Sequence, residues 1–164
     1  MKHILLIDVD SKIPNLALMK ISTYHKNKDD KVNILKLNYD GYPTKKKIIK
    51  INNLNFDKTY VSIIFKVNKN VVQFTNNDKV VYGGTGYDIK IKLPDYIDNL
   101  NEDYTLYPDN KSSYGFITRG CVRNCYFCIV PIKEGKRIYK YRKIEDIIKH
   151  NKVYFLDNAL KSFP

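Results

Sequence analysis

The chain has 164 residues, with 29 Lys and Arg against 17 Asp and Glu, a formal net charge of +12, and 43% hydrophobic residues. This length allows one domain or two small ones, and the composition is that of a folded chain rather than a disordered one. No apolar run approaches the roughly 18 residues that a membrane helix needs, and the apolar run that begins at Ile4 meets Asp8 too soon for a signal sequence. We therefore expect a cytoplasmic protein without a membrane partner.

The first hundred residues follow the pattern of a parallel α/β fold. Strands are predicted at residues 4–9, 32–37, 59–65 and 79–82. Apolar residues at helical spacing predict a helix over residues 12–26, with Asp10 or Ser11 as its N-cap and Pro14 in its first turn. The continuous apolar first strand is typical of a sheet that is buried on both faces.

The chain after residue 100 predicts a second, smaller α/β piece. A linker is predicted at residues 101–113, because this stretch is rich in Asn and Asp. The region 114–164 then carries a strand at 114–118, a helix that presents Ile144, Ile147 and Ile148 on one face, and a strand at 153–156. Strand, helix and strand in this order form a parallel crossover unit.

The basic excess by itself does not single out a partner. Clustered Lys and Arg bind phosphate backbones, but here the excess is nearly all Lys, and its single tight run is at residues 45–47. Such a run is most often a solvated loop. The charge is thus compatible with a nucleic-acid partner without indicating one specifically.

The cysteines are the most informative residues. Cys121, Cys125 and Cys128 lie within eight residues, and the chain has no other cysteine. An odd, clustered set excludes a disulfide framework and favours a reducing compartment. Thiolates are soft ligands for zinc, copper(I) or an iron–sulfur cluster. A zinc site needs a fourth ligand, for which His150 is a candidate, whereas three thiolates leave one iron of a four-iron cluster open.

The run Cys121-x-x-x-Cys125-x-x-Cys128, on a loop directly after a predicted strand, resembles the signature of the radical S-adenosylmethionine (SAM) superfamily. Gly120 and Phe127 also match the usual pattern. The resemblance implies a 4Fe-4S cluster, SAM chelated to its open iron, and reductive cleavage of SAM to a 5′-deoxyadenosyl radical. It also implies an external electron donor of the flavodoxin or ferredoxin type.

The same resemblance suggests residues that contact SAM. Phe127 would pack near the adenine, and Asp157, with Asn158 as second choice, would bind the amino group. Simpler roles compete with these: Phe127 could cover an edge of the core, and Asp157 and Asn158 could cap the chain after a strand. Arg119 and Arg123 could offset cluster charge, but surface solvation is the commoner fate of an arginine.

A Rossmann-like domain before such a core resembles the cobalamin-binding arrangement of many methyltransferases. The stretch at residues 8–13 that corresponds to the cobalamin loop has neither His nor Gly, so cobalamin is not expected. Asp8 and Asp10 are also similar to the nucleophile motif of haloacid-dehalogenase phosphatases, although strand-end capping explains them equally simply. The glycines at residues 83–86 predict a turn with positive φ angles.

Residues 128–137 are also similar to a segment of tRNA methylthiotransferases. Those enzymes hold a second cluster on three N-terminal cysteines, and this chain has no Cys before Cys121. The ligands for that chemistry are missing, so this subfamily ranks behind the general radical SAM assignment.

Length limits what the second region can be. A radical SAM core is a (β/α)₆ partial barrel, and at roughly 30 residues per unit the region 114–164 holds two strands and one helix. The sequence therefore predicts the N-terminal part of such a core, truncated at its C-terminus, with a complementing chain as a partner. The competing hypothesis is a non-catalytic module that binds zinc or an iron–sulfur cluster or recruits a partner. The substrate is not indicated.

Overall fold

The computed structural model describes residues 1–39 and 47–159, and the chain divides into two compact units between Pro108 and Asp109. The first unit contains β1 (His3–Asp8), α1 (Leu16–Lys26), β2 (Lys31–Lys36), β3 (Ile49–Ile51), β4 (Lys58–Ser62), β5 (Val72–Phe74), β6 (Val80–Gly83) and α2 (Asp95–Asp98), with 3₁₀ turns at Lys66–Asn68 and Tyr104–Leu106. None of the helices in the described ranges combines the length and the apolar character needed to cross a lipid bilayer.

The centre of the first unit is a four-stranded parallel sheet in the order β2-β1-β4-β6. β1 is covered on both faces: Leu5 and Ile7 belong to one apolar cluster, whereas Ile4 and Leu6 pack in another with α1. This two-sided burial explains why the strand is a continuous apolar run rather than an alternating one. The predicted α/β class, with a small Rossmann-like sheet, is confirmed.

Helix α1 begins at Leu16, four residues later than predicted. Its N-cap is Asn15, whose side-chain oxygen accepts a hydrogen bond from Leu18 N at 3.2 Å. The predicted caps, Asp10 and Ser11, were wrong because Asp10 has other partners: its carboxylate accepts hydrogen bonds from backbone amides that follow β4.

The strand prediction was wrong about two further features of this unit. β4 ends at Ser62, three residues earlier than predicted, and the sequence predicted neither β3 nor β5, which pair in parallel. Residues 45 and 46 of the basic run lie outside the described residues.

α2 and the segment after it, which includes the first part of the predicted linker, are attached to α1. Lys20 Nζ lies 2.9 Å from a carboxylate oxygen of Asp98, and Asp103 accepts a hydrogen bond from Ser22 Oγ at 2.6 Å and pairs with Lys26 Nζ at 2.7 Å. These bonds explain why the first unit continues to Pro108 rather than ending near residue 100.

The second unit is built on a parallel strand pair. It contains β7 (Ser112–Gly115), β8 (Thr118–Arg119), α3 (Val130–Lys133), β9 (Tyr139–Lys140), α4 (Ile144–Ile147) and β10 (Lys152–Phe155). β7 pairs with β10, and the rings of Tyr114 and Tyr154 stack at 5.2 Å between centroids. Gly115 leaves room for Ile147, which α4 buries against β7. The predicted strand–helix–strand unit is confirmed, whereas the antiparallel β8–β9 pair was not predicted.

Candidate functional site

All three cysteines lie on one loop between β8 and α3, which we call the cysteine loop (residues 120–129). At its start Gly120 adopts a φ of +85°, and a Cβ atom there would overlap the carbonyl oxygen of Arg137. Cys121 N donates to Gly135 O at 3.3 Å. The β8–β9 pairing and these contacts hold the start of the loop against residues 135–140, and the close approach to Arg137 requires glycine at position 120.

Glu134 fastens the base of the loop. Its carboxylate accepts hydrogen bonds from Arg119 Nη1 at 2.7 Å, from Gly120 N at 3.1 Å and from Asn158 Nδ2 at 3.0 Å. The Arg119 guanidinium also lies 3.5 Å from the centroid of the Phe116 ring. Sequence reasoning missed Glu134, although one signal was available: it is the only acidic residue between positions 119 and 143.

Asp157 holds the segment that leads into β8. Its carboxylate accepts hydrogen bonds from Ile117 N at 3.2 Å, from Thr118 N, and from Thr118 Oγ1 at 2.6 Å. This is the capping role weighed for Asp157 and Asn158, and both side chains are structural in this arrangement. A contact of either residue with the amino group of SAM stays a prediction.

The three cysteine thiols do not form a metal-binding group in the structure. Cys121 is buried, Cys128 is half-buried and Cys125 is exposed, and Cys128 N donates to Cys125 O at 3.1 Å. Across the described residues, no three His, Cys, Asp or Glu side chains converge on a point where a metal ion could sit. The donor chemistry of three thiolates fits an iron–sulfur cluster, but this structure does not assemble them into a ligand set.

Two further predicted site residues are His150, the candidate fourth zinc ligand, and Phe127, the candidate adenine contact. His150 Nδ1 lies 3.2 Å from Ser113 Oγ on β7 and does not join the cysteines in a metal-binding group. Phe127 is 76% exposed and meets the 99% exposed Tyr126 edge to face, with ring centroids 5.2 Å apart. Phe127 therefore does not cover a core edge, which was the simpler reading of this residue.

In the first unit, Asp8 ends β1 and Asp10 follows it, at the edge of the sheet where parallel α/β folds bind ligands. Asp10 accepts hydrogen bonds from Ile64 N at 2.8 Å and Phe65 N at 3.0 Å. Asp8 accepts a hydrogen bond from the Tyr107 hydroxyl at 2.8 Å. Both carboxylates bind the chain itself, which supports the capping interpretation over the phosphatase one.

The pKa of Tyr107 shows that this edge of the sheet is buried. Burial, and then the neighbouring carboxylate of Asp8, raise the pKa of the Tyr107 phenol far above its usual range. The phenol thus stays protonated and donates a hydrogen bond to the Asp8 carboxylate. At the end of β6, Gly84 has a φ of +94°, and a Cβ atom there would overlap the backbone of Ile63. The predicted turn with positive φ is confirmed.

Comparison with known proteins gives one informative likeness. A segment of 81 residues, 48% of this chain, is 37% identical to the ribosomal protein uS12 methylthiotransferase RimO of Clostridioides difficile (strain 630) and covers 18% of that protein. The chain therefore spans about a fifth of the length of this curated relative. No protein-family model matches the chain, and no solved structure matches it.

The relative is itself a methylthiotransferase, the class that the residues alone ranked behind the general assignment. The likeness supports a relation between this chain and the radical SAM enzymes at the level of the superfamily. It suggests an enzyme family, with iron–sulfur and SAM chemistry as the property of that family.

Proposed function

We propose that the second unit is the opening part of a radical SAM core that holds a 4Fe-4S cluster on Cys121, Cys125 and Cys128. Such a cluster, when bound, supplies the electron for reductive cleavage of SAM to a 5′-deoxyadenosyl radical. The observation that carries the proposal is the spacing of the three cysteines on a loop of a parallel strand–helix–strand unit. The likeness to a methylthiotransferase also supports it.

The role of the surrounding residues follows from the hydrogen bonds at the base of the loop. Glu134 and Asp157 fix residues 117–120, which lead into the loop, so the start of the loop stays in place while its middle rearranges. Cys125 and Cys128 are not part of the core. Moving their sulfurs toward Cys121 on metal loading therefore exposes no buried apolar side chain. Coupling of metal binding to local ordering of this kind is common where ligands lie on a loop.

Anaerobic reconstitution of the full chain with iron and sulfide tests the cluster. We expect a brown protein with about four irons per chain. Changing any one of the three cysteines to Ser should reduce the iron content and the visible absorbance. Val122→Ser is the matched control, because it alters an exposed residue of the same loop and leaves the thiols intact. A colourless product that binds a single zinc would contradict the proposal.

The SAM step has a separate test. With SAM and dithionite, the reconstituted chain should form 5′-deoxyadenosine, and the protein donor of the electron is proposed to be of the flavodoxin or ferredoxin type. Phe127→Leu should weaken SAM binding without lowering the iron content, since Phe127 is exposed and makes none of the hydrogen bonds at the base of the loop. Equal SAM affinity in this variant would remove Phe127 from the site.

The substrate class and the complementing chain are part of the proposal. The name of the relative gives ribosomal protein uS12 as its substrate, and this is the first substrate to test. This chain has no Cys before Cys121. A methylthio transfer would therefore need cysteines for a second cluster from elsewhere. We propose that the second unit has a complementing chain as a partner.

A non-catalytic metal module is the second candidate, because thiolates are soft ligands for zinc as well as for an iron–sulfur cluster. Such a module would bind a metal through the same cysteines but would form no 5′-deoxyadenosine. The product assay therefore separates the two candidates even when both bind iron.

A further inference from the structure

The arginines of this chain are concentrated in one place. The chain has 29 Lys and Arg residues but only four arginines, and all four lie in the stretch that contains the cysteines: Arg119, Arg123, Arg137 and Arg142. Outside this stretch, the positively charged residues are all lysines. A guanidinium differs from an ammonium in its planar fork of donors, which matches phosphate or carboxylate oxygens, and in its ability to stack on rings. The concentration of arginine in this stretch therefore indicates that the planar guanidinium group has a role there that lysine does not fill.

The fold explains one of the four arginines. Arg119 is largely buried, binds Glu134, and lies over the rings of Phe116 and Tyr141 at 3.5 and 4.8 Å. In contrast, Arg123 and Arg137 are exposed. No hydrogen bond or ion pair joins either of their side chains to another described residue. Their guanidinium groups contribute nothing to the fold that the structure records.

Exposed aromatic rings accompany these arginines. We call the set Arg123, Tyr126, Lys136, Arg137, Tyr139 and Lys140 the basic–aromatic surface. Tyr126 is 99% exposed and Tyr139 is 47% exposed, and the four basic side chains are exposed as well. The β8–β9 pairing and the Gly120–Arg137 contact bring the strand residues against the start of the cysteine loop. Charges and rings thus share one part of the second unit.

We propose that the basic–aromatic surface binds single-stranded nucleic acid. Exposed guanidinium and ammonium groups pair with backbone phosphates, and the face of an exposed tyrosine stacks on an unpaired base. A double helix keeps its bases stacked on each other, so the rings favour a single strand. An acidic protein would engage the charges but would leave the rings without a role. This inference uses none of the thiols and does not rest on the proposed function.

Fluorescence anisotropy with the full chain and two labelled probes, a 12-nucleotide oligouridylate RNA and the matching oligothymidylate DNA, tests the proposal. Four phosphate contacts predict that log K falls with log salt concentration with a slope of about −3. Replacing both arginines, Arg123→Ala with Arg137→Ala, should weaken binding at least about tenfold and reduce the slope by about one to one and a half. Tyr126→Ala should also weaken binding about tenfold while leaving the slope unchanged.

The controls separate this surface from net charge and from the metal site. The double variant Lys50→Ala with Lys92→Ala removes the same charge from exposed positions of the first unit, and we expect binding within about twofold of the unaltered chain. All binding measurements use the metal-free chain, so that the result does not depend on cluster loading. Tighter binding of the RNA probe than of the DNA probe would identify RNA as the natural form.

Three outcomes would overturn the proposal. The first is the absence of binding to both probes, and the second is an equal loss in the first-unit control. The third is full competition by polyglutamate at the same charge concentration together with no effect of Tyr126→Ala, which would identify a docking site for an acidic protein. Circular dichroism of each variant checks that the fold is intact, as expected for exposed side chains.

Discussion

Replacement of Glu134 by Gln tests whether this one carboxylate holds the base of the cysteine loop. All the groups that face it are donors: Arg119 Nη1, Gly120 N and Asn158 Nδ2. Glutamine has nearly the same shape but offers one oxygen and one NH₂ group. In either orientation its NH₂ group must face at least one donor, and the charge is lost.

The expected cost follows from these contacts. A hydrogen bond to a charged group contributes about 1.5–3 kcal/mol, and an unsatisfied buried donor costs a similar amount. The side chains of Glu134 and Arg119 are 11% and 21% exposed, so water replaces part of what is lost. We therefore expect a local destabilisation of about 2–3 kcal/mol, which lies below the cost of breaking a fully buried ion pair.

Hydrogen exchange with mass spectrometry on the full chain measures this local free energy. Amides of residues 117–121 should exchange about 30- to 140-fold faster in Glu134→Gln, since each 1.4 kcal/mol is a factor of ten. Glu145→Gln is the matched control, because it makes the same chemical change at an exposed position of α4. Unchanged exchange in Glu134→Gln, or an equal increase in the control, would refute the anchoring role of Glu134.

Three further predictions concern single residues. Gly120→Ala should speed amide exchange at the base of the loop at least as much as Glu134→Gln does. The positive φ at position 120 costs an alanine about 1–2 kcal/mol before the steric overlap of its Cβ atom is counted. Hydrogen bonding to His25 holds the pKa of the Asp30 carboxyl below its usual value of 3.8. The stabilisation from Asp30 should thus be complete above about pH 4 and be lost as the pH falls through the lowered pKa. In denaturation midpoints measured against pH, Asp30→Asn should therefore lose less stability on acidification. Tyr107→Phe should cost about 1–2 kcal/mol in chemical denaturation by removing the hydrogen bond to buried Asp8. Because the Tyr107 pKa is raised, this variant should show the same phenolate absorbance near pH 10 as the unaltered folded chain; a lower absorbance would contradict the burial argument.

The sequence by itself determined the class of the fold and the position of the candidate site. The run Ile4–Ile7 predicts a strand buried on both faces, and the sheet confirms it. Turn glycines such as Gly84 also follow from local preference, because only glycine adopts a positive φ without strain. The spacing of Cys121, Cys125 and Cys128 is a property of the sequence that needs no coordinates. These features succeed because periodicity, backbone preference and motif spacing act over a few neighbouring residues.

The tertiary structure alone decided which polar groups meet. Asp10 turns away from α1 to bind amides more than 50 residues later in the chain, which leaves Asn15 to cap the helix. Asp157 closes on Thr118, 39 residues earlier, and Glu134 binds Arg119 and Gly120 at the start of the cysteine loop. A buried carboxylate must find donors wherever the fold supplies them. The choice of donor therefore depends on how strands distant in sequence are brought side by side, which no local pattern records.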